Sequence, residues 1–250
     1  MKKYIYGALA LSLVALCALP VPSYAEAPIA STQAPTPMAT APIIAPIVPT
    51  MMQDIAILQK KWAEIKYQTP QEKQQSHNLE ILTGQAEKIM QKYPQMPEPK
   101  IWLGIILSTK AGVDGGLGAL KHVKMAKKLF EQALTEDPNA LSGSAYTSLG
   151  SLYYQVPGWP IGFGDKKKAE KYLRQALKIN PNGIDPNFFY ADFLIENGRG
   201  TEATAYLMTA LKAPDRANRP LADAGRRQEI KALLAKINKN TDNQHQIRNQ

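Results

Sequence analysis

The side chains that could perform catalysis are present in this 250-residue chain, but their spacing matches no catalytic arrangement. The stretch GWPIGFGDK, residues 158–166, lacks the spacing of a phosphate-binding loop. No Gly-X-Ser-X-Gly elbow occurs, and no pattern pairs Asp185 with Asp192 as a general acid and base. We therefore predict no catalytic residues, no cofactor and no enzymatic activity; a hydrolase of the cell envelope is the alternative.

The usual metal ligands are dispersed along the chain. His77, His122 and His245 have neither the HEXXH spacing nor another zinc-binding spacing. Cys17 is the only cysteine, and it lies in an apolar stretch that we expect to be removed from the mature protein. The mature protein would then contain no disulfide, no thiolate metal ligand and no cysteine nucleophile. The sequence thus predicts no metal site.

The first residues have the pattern of a secretory signal. Lys2 and Lys3 precede an apolar run over residues 4–19, and Ser23-Tyr24-Ala25 places small residues at the −3 and −1 positions. We predict a signal peptide over residues 1–25 with cleavage after Ala25. The product would be a periplasmic protein with no stable membrane span. Retention of the segment as a membrane anchor is the alternative.

Charge and composition indicate what the exported chain could contact. The formal net charge is +9 at pH 7, and we interpret it as a solvated basic surface. The alternative is an acidic partner, which in the envelope would be an anionic polymer or a lipid head group rather than nucleic acid. Residues 26–52 are rich in proline and alanine, so we predict a disordered linker there. Residues 239–250 are predicted to be a polar tail.

The elements that would position any binding site are helices, because one pattern of small and apolar residues recurs at offsets 0, 4 and 7. Its copies are Ala126, Phe130 and Ala133; Ala169, Leu173 and Ala176; and Ala203, Leu207 and Ala210. Recurrence of this kind indicates stacked units. We predict a helical domain over residues 53–238, with units at about 53–93, 99–138, 143–181 and 184–214 and a capping helix at 221–238.

The residues around these positions resemble the tetratricopeptide repeat, a helix–turn–helix unit of 34 residues. The resemblance is carried in one unit by Leu149-Gly150, Tyr153, Ala169, Ala176 and Pro181, and in another by Leu103-Gly104. It implies an all-α, right-handed solenoid of stacked helix–turn–helix units with a C-terminal capping helix. It also implies a role in protein–protein interaction. The arrangement is similar as well to bacterial envelope repeat proteins, including the soluble T-component of tripartite periplasmic (TRAP) transporters.

The capping helix needs one polar side, because it ends the stack. We expect Arg226 and Arg227 to face solvent and Ile230 and Leu233 to face inward.

One segment departs from the repeat length. The interval from Ala126 to Ala169 is nine residues longer than that from Ala169 to Ala203, and most of the excess is VPGWPIGFG at residues 156–164. A glycine-rich interruption is expected at 111–122 in the preceding unit, and the two should lie on one rim. We expect Trp159 and Phe163 to fold down and plug the solenoid edge; the alternative is an aromatic lip on a binding pocket.

The helix after this insertion begins with three lysines, residues 166–168, and Asp165 is its expected N-cap. Lysines in a first helical turn oppose the helix dipole. We interpret them as a solvated charged face; an anion site beside the insertion is the alternative.

The family resemblance also implies a binding groove, because the first helices of such repeats line a concave face. Aligning Leu149-Gly150 with the family pattern points Thr147, Ser151 and Tyr154 into this groove. The corresponding positions in the neighbouring units are Phe188, Asp192 and Ile195, and Ile101, Ile105 and Ser108. This mixed surface could hold a peptide segment or an amphipathic small molecule. The candidate binding residues are therefore Thr147, Ser151, Tyr154, Trp159, Phe163, Phe188 and Asp192.

These features predict an exported periplasmic scaffold or adaptor that binds a protein or peptide partner in the cell envelope through its concave groove. The alternative is a small-molecule-binding accessory component of a periplasmic transporter. That alternative requires a closed, mostly apolar cavity beneath Trp159 and Phe163, and a flat or filled surface there would argue against it.

Overall fold

The computed structural model describes residues 50–116 and 118–248, with side chains described through residue 239. Within these ranges every regular element is an α-helix, so the predicted all-α class is confirmed. In chain order the helices are α1 (Met51–Gln68), α2 (Glu72–Lys92), α3 (Pro97–Asp114), α4 (Gly118–Glu136), α5 (Ala140–Gln155), α6 (Lys166–Ile179), α7 (Ile184–Glu196), α8 (Gly200–Leu211) and α9 (Pro220–Arg248). The predicted signal peptide and residues 26–49 of the predicted linker lie outside the described residues.

The first eight helices form four consecutive pairs. α1 packs on α2, α3 on α4, α5 on α6 and α7 on α8, and each pair also packs on the next. The first helices of the pairs contact one another in order, from α1 through α3 and α5 to α7. This is the stacking of a helical solenoid. None of the helices in the described ranges is both long and apolar enough to span a bilayer.

The recurring small and apolar residues make the contacts inside each pair. All nine positions of the three copies have no solvent exposure: Ala126, Phe130, Ala133, Ala169, Leu173, Ala176, Ala203, Leu207 and Ala210. A Cβ atom at Gly104 would lie 2.6 Å from the Phe130 ring, and one at Gly150 would lie 2.7 Å from Leu173. Glycine at these two positions therefore lets α3 and α5 approach their partner helices closely.

Four helices are longer than the sequence pattern predicted. α1 begins at Met51, where Thr50 and Gln53 form a capping box. α9 runs to Arg248, beyond the predicted end of the cap. α3 continues to Asp114 and α4 begins at Gly118, so only residues 115–117 separate them.

The expectation of a glycine-rich insertion at 111–122 is therefore wrong. Ala111 and Ala119 are buried in the core, so extending α3 and α4 gains packing that a loop would not provide. The insertion at 156–164 has no counterpart beside it in the preceding unit.

The last helix closes back on the first. α9 packs on α7 and α8 and also on α1. Lys66 of α1 pairs with Glu229 of α9 at 3.1 Å, and a Cβ atom at Gly225 of α9 would lie 2.4 Å from the Tyr67 ring of α1. Since α1 and α7 are both first helices, α9 lies across the face that the first helices share.

A buried group of ion pairs joins α9 to α7. Asp185 lies 2.7 Å from Arg216, 3.1 Å from Arg226 and 3.9 Å from Arg219, and we call these four residues the Asp185 cluster. Burial tends to raise the pKa of Asp185, but the three arginines outweigh it and hold the pKa well below its usual range. Arg226 is only 5% exposed, so the expectation that it faces solvent is wrong.

Candidate functional site

Three of the predicted groove residues are buried in the structure. Thr147 and Ser151 of α5 and Phe188 of α7 are all buried. The Thr147 hydroxyl donates to the Gly143 carbonyl oxygen at 3.5 Å, and the Arg226 guanidinium of α9 lies 4.2 Å from the centre of the Phe188 ring. These three predicted groove residues therefore do not face open solvent.

The groove opens towards the C-terminal ends of the same helices. In α3, Ile101 is buried, whereas Ile105 and Ser108 are partly exposed. In α7, Asp192 and Ile195 are partly exposed, and so is Tyr154 near the end of α5. We call this surface the groove opening; it comprises Ile105, Ser108, Tyr154, Asp192 and Ile195.

Tyr154 and Asp192 form the polar centre of the groove opening. The Tyr154 hydroxyl donates a hydrogen bond of 2.6 Å to Asp192 Oδ2, and the Gln155 amide nitrogen donates to the Tyr154 hydroxyl oxygen at 3.2 Å. The Tyr154 ring packs edge-on against Phe193, with 5.7 Å between ring centres. The structure thus brings together two predicted site residues that lie 38 positions apart in the sequence.

Asp192 is a carboxylate that forms no ion pair with any described lysine or arginine. Burial raises the pKa of Asp192, and the hydrogen bond from Tyr154 lowers it only in part. Burial also raises the pKa of Tyr154 well above its usual range, and the adjacent charge of Asp192 adds to this rise. The pair is therefore a partly exposed, hydrogen-bonded acceptor site whose chemistry suits a cationic group.

Tyr154→Phe is expected to raise the pKa of Asp192 further, because it removes a hydrogen bond that stabilises the ionised carboxylate. The free energy of unfolding at neutral pH should fall by about 1 kcal/mol. The pKa of Asp192 is already higher in the folded state than in the unfolded chain. Stability therefore decreases as pH rises from the unfolded pKa through the folded one, and the decrease should be larger in the variant.

Carbon-13 NMR titration of the aspartate carboxyls and urea unfolding at several pH values measure these two effects. Tyr146→Phe is the matched control, because the Tyr146 hydroxyl makes no hydrogen bond with the described residues. An identical Asp192 titration midpoint in the wild-type protein and Tyr154→Phe would contradict the assigned role of the hydrogen bond.

The insertion at 156–164 is a compact loop held by its own backbone. The Gly164 amide donates to the Pro157 carbonyl oxygen at 2.9 Å, and the Asp165 amide donates to the Tyr153 carbonyl oxygen at 2.8 Å. A Cβ atom at Gly164 would lie 2.0 Å from the Val156 carbonyl oxygen, so this crossing requires glycine. The backbone conformation of the loop is therefore fixed, and so are the positions from which its side chains extend.

The two aromatic residues of the insertion have opposite environments. Phe163 is partly buried and packs edge-on against Tyr153, with 5.5 Å between ring centres. Trp159 is 90% exposed, and Ile161 beside it is 61% exposed. The plug interpretation therefore holds for Phe163 and is wrong for Trp159. Ile161 was not among the predicted binding residues, although it lies in the same Pro/Gly-rich segment as Trp159.

The surface pockets found at α1 do not extend to the insertion. Two surface pockets lie at α1: one of about 260 Å³ between α1 and α2, and one of about 410 Å³ between α1 and the start of α9. Neither is lined by Trp159 or Phe163, and Phe163 occupies the space against Tyr153. The part of the chain that the structure describes also contains no group of three side chains arranged to hold a metal ion.

Comparisons with known proteins bear on the fold. Residues 161–237 match a family model described as tetratricopeptide repeat. A thermophilic tetratricopeptide repeat protein of Thermus thermophilus is similar at a TM-score of 0.50 and 19% identity, over 75% of this chain and 90% of that chain. PilF of Pseudomonas aeruginosa aligns at a TM-score of 0.31 and 14% identity, over 71% of this chain and 89% of that chain. No curated protein matches this sequence.

The second of these likenesses is too weak to carry an argument, and the first concerns the fold alone. The family match covers the end of the insertion, the last repeat unit and most of the described part of α9. The buried repeat positions extend the same pattern to α4. The described helices accordingly have the fold of a tetratricopeptide repeat solenoid, and residues 161–237 match the tetratricopeptide repeat itself.

Proposed function

We propose that this chain is an exported scaffold of the cell envelope that binds a partner protein at the groove opening. The tetratricopeptide repeat fold suggests a protein–protein interaction scaffold. Support for export comes from the signal-like pattern of residues 1–25. The observation that carries the binding site is the Tyr154–Asp192 pair, a partly buried carboxylate with a hydrogen-bond donor and no ion pair to the described lysines and arginines.

The chemistry of the groove opening suits a peptide segment with one basic side chain. A lysine or arginine of the partner would pair with Asp192, whose other oxygen is not used by the Tyr154 hydroxyl. Ile105 and Ile195, two other residues of the groove opening, are partly exposed apolar side chains that would contact apolar side chains of the same segment. α9 packs on α7, where Arg226 lies over the Phe188 ring, so the partner would engage the exposed residues of the groove opening.

Site-specific photocrosslinking in cells tests the proposal. We expect a benzoylphenylalanine residue at Ser108, in the groove opening, to capture a defined protein, and one at the exposed Lys178 of α6 to capture none. Asp192→Asn should reduce the Ser108 crosslink by about tenfold or more, since it removes the charge that pairs with the partner. Asp215→Asn, at a carboxylate that is 84% exposed, is the matched control and should leave the crosslink unchanged.

Equal crosslinking from Ser108 and Lys178, or a Ser108 crosslink that Asp192→Asn does not affect, would overturn the assigned binding site. Export is checked separately by the N-terminus of the protein recovered from the envelope fraction, which should begin at Glu26. Recovery of the chain only from the cytoplasm would contradict export.

A further inference from the structure

The insertion presents two large apolar side chains that contribute little to the core. Trp159 is 90% exposed and Ile161 is 61% exposed, and we call these two residues the apolar tip. Burying such side chains is favourable, so a loop that keeps both in water forgoes stabilisation within the fold. The hydrogen bonds that join Tyr154, Asp192 and Gln155 involve neither residue of the apolar tip.

The apolar tip is preorganised. The Ile161 and Gly162 amides both donate to the Gly158 carbonyl oxygen, at 3.2 and 3.1 Å, which closes a tight turn around Trp159. The hydrogen bonds from Gly164 and Asp165 fasten the base of the loop to α5. Little backbone freedom is lost when such a loop binds, so its exposed side chains are efficient anchors.

Lysines surround the base of this loop. Lys127 of α4 lies 5.8 Å from the centre of the Phe163 ring, and Lys168 of α6 lies 5.5 Å from the centre of the Tyr153 ring, which places both helices beside the insertion. Exposed lysines that form no ion pair with described residues continue along these two helices, and we call them the lysine surface: Lys121, Lys124, Lys128, Lys166, Lys167, Lys168 and Lys171.

The nearby carboxylates do not neutralise the lysine surface. Asp165 accepts hydrogen bonds from the Lys167 and Lys168 backbone amides as the N-cap of α6. Glu170 pairs with Arg174 and Arg199 at 2.8 and 3.0 Å, and Glu131 pairs with Lys127 at 2.6 Å. The apolar tip therefore projects from a surface with excess positive charge.

We propose that the apolar tip and the lysine surface dock this protein on an anionic lipid bilayer. Tryptophan is suited to the boundary between head groups and acyl chains, because its ring is apolar while its N–H can hydrogen-bond. Lysines beside it add electrostatic attraction to anionic head groups, and two such signals together give stable peripheral attachment. Lysine is depleted from protein–protein interfaces, so a lysine-rich surround favours lipid over a protein partner.

The fluorescence of Trp159 can report vesicle binding directly. The chain has three tryptophans, and Trp62 and Trp102 are both buried. With the full chain, we expect vesicles of phosphatidylcholine and phosphatidylglycerol to shift the tryptophan emission to shorter wavelength, and brominated acyl chains to quench it. Vesicles of phosphatidylcholine alone should produce neither change. Because the signal arises at Trp159, attachment through another part of the chain does not reproduce it.

Charge-reversal variants distinguish the effect of the lysine surface on vesicle binding from the effect of the net charge of the protein. Lys166→Glu with Lys167→Glu should weaken vesicle binding by about tenfold or more. Lys231→Glu with Lys236→Glu, at exposed positions on α9, makes the same change in net charge and should have a much smaller effect. Trp159→Ala should remove the fluorescence response and reduce binding while leaving the melting temperature unchanged, because the side chain is exposed.

Three results would overturn the proposal. The first is no response of Trp159 to anionic vesicles. The second is an equal response to vesicles with and without phosphatidylglycerol. The third is protection of Trp159 from iodide quenching by soluble cell proteins and not by vesicles, which would assign the apolar tip to a protein partner.

Discussion

Replacing Asp185 with asparagine is expected to lower the free energy of unfolding at pH 7 by about 1.5–3 kcal/mol, the range typical of losing hydrogen bonds to charged groups. The substitution keeps the shape of the side chain and removes the charge that pairs with Arg216, Arg219 and Arg226. Arg226 is buried over the Phe188 ring and also pairs with Glu229 at 2.5 Å, so the loss of Asp185 leaves its charge only partly compensated. Urea unfolding followed by circular dichroism measures the change.

The same substitution should alter the response to acid. The pKa of Asp185 is lower in the folded state than in the unfolded chain. Its contribution is therefore fully present above the unfolded pKa and is lost as the pH falls towards the folded pKa. The wild-type protein should lose stability below about pH 4 through this group, and the variant should lack that part of the loss.

Asp215→Asn is the matched control for Asp185→Asn. Asp215 also pairs with an arginine, at 2.8 Å from Arg227, but its side chain is 84% exposed. Its replacement should change the free energy of unfolding by less than about 1 kcal/mol. Equal effects of the two substitutions would show that the Asp185 cluster does not hold α9 against α7.

Phe130→Ala is expected to destabilise the solenoid by about 3–5 kcal/mol, because the ring is fully buried between α3 and α4 and its removal leaves a cavity. Thermal and urea unfolding measure this loss. Ile57→Ala is the matched control, since Ile57 is 48% exposed on α1 and should cost much less.

A double-mutant cycle with Gly104 tests the contact itself. Gly104→Ala alone should cost about 1–3 kcal/mol, because its Cβ would lie 2.6 Å from the Phe130 ring. In the Phe130→Ala background the obstruction is absent, so the second substitution should cost little or should fill part of the cavity. Additive effects would contradict close packing between these two residues.

Local patterns in the sequence predicted much of the fold. The spacing of Ala169, Leu173 and Ala176 identifies one face of one helix, and its recurrence identifies the units that stack. The structure buries every one of these positions. The prediction of a loop at 111–122 was wrong, because glycines need not end a helix whose neighbouring residues pack in the core. Ala111 and Ala119 are both buried there.

The sequence contains a pattern that places Arg226 on the buried face of its helix. Ala222, Arg226, Ile230 and Leu233 follow helical spacing and are all buried on one face of α9. The arginine was expected outside because it is charged, yet a buried charge is possible wherever a carboxylate meets it. Its partner, Asp185, lies 41 residues earlier.

The candidate site was predicted in part. The family register placed Tyr154 and Asp192 on the concave face, and the structure joins them by a hydrogen bond. The same register also pointed Thr147, Ser151 and Phe188 into the groove, where the structure buries them. The position of a residue along a helix determines the side of the helix on which its side chain lies. Whether that side chain is exposed to solvent depends on which other segments of the chain pack there.

The sequence by itself determined the helices, their pairing and the small residues that allow close stacking, because these follow from contacts a few residues apart or one repeat apart. Only the tertiary structure decided which groove residues are exposed, that Arg226 is buried, and that Trp159 is exposed while Phe163 is partly buried. Those outcomes depend on the return of α9 to α1, as in the pair of Lys66 and Glu229, and on the path of one loop over α5. Neither leaves a periodic signal in the chain, because the interacting groups are brought together once and from distant positions.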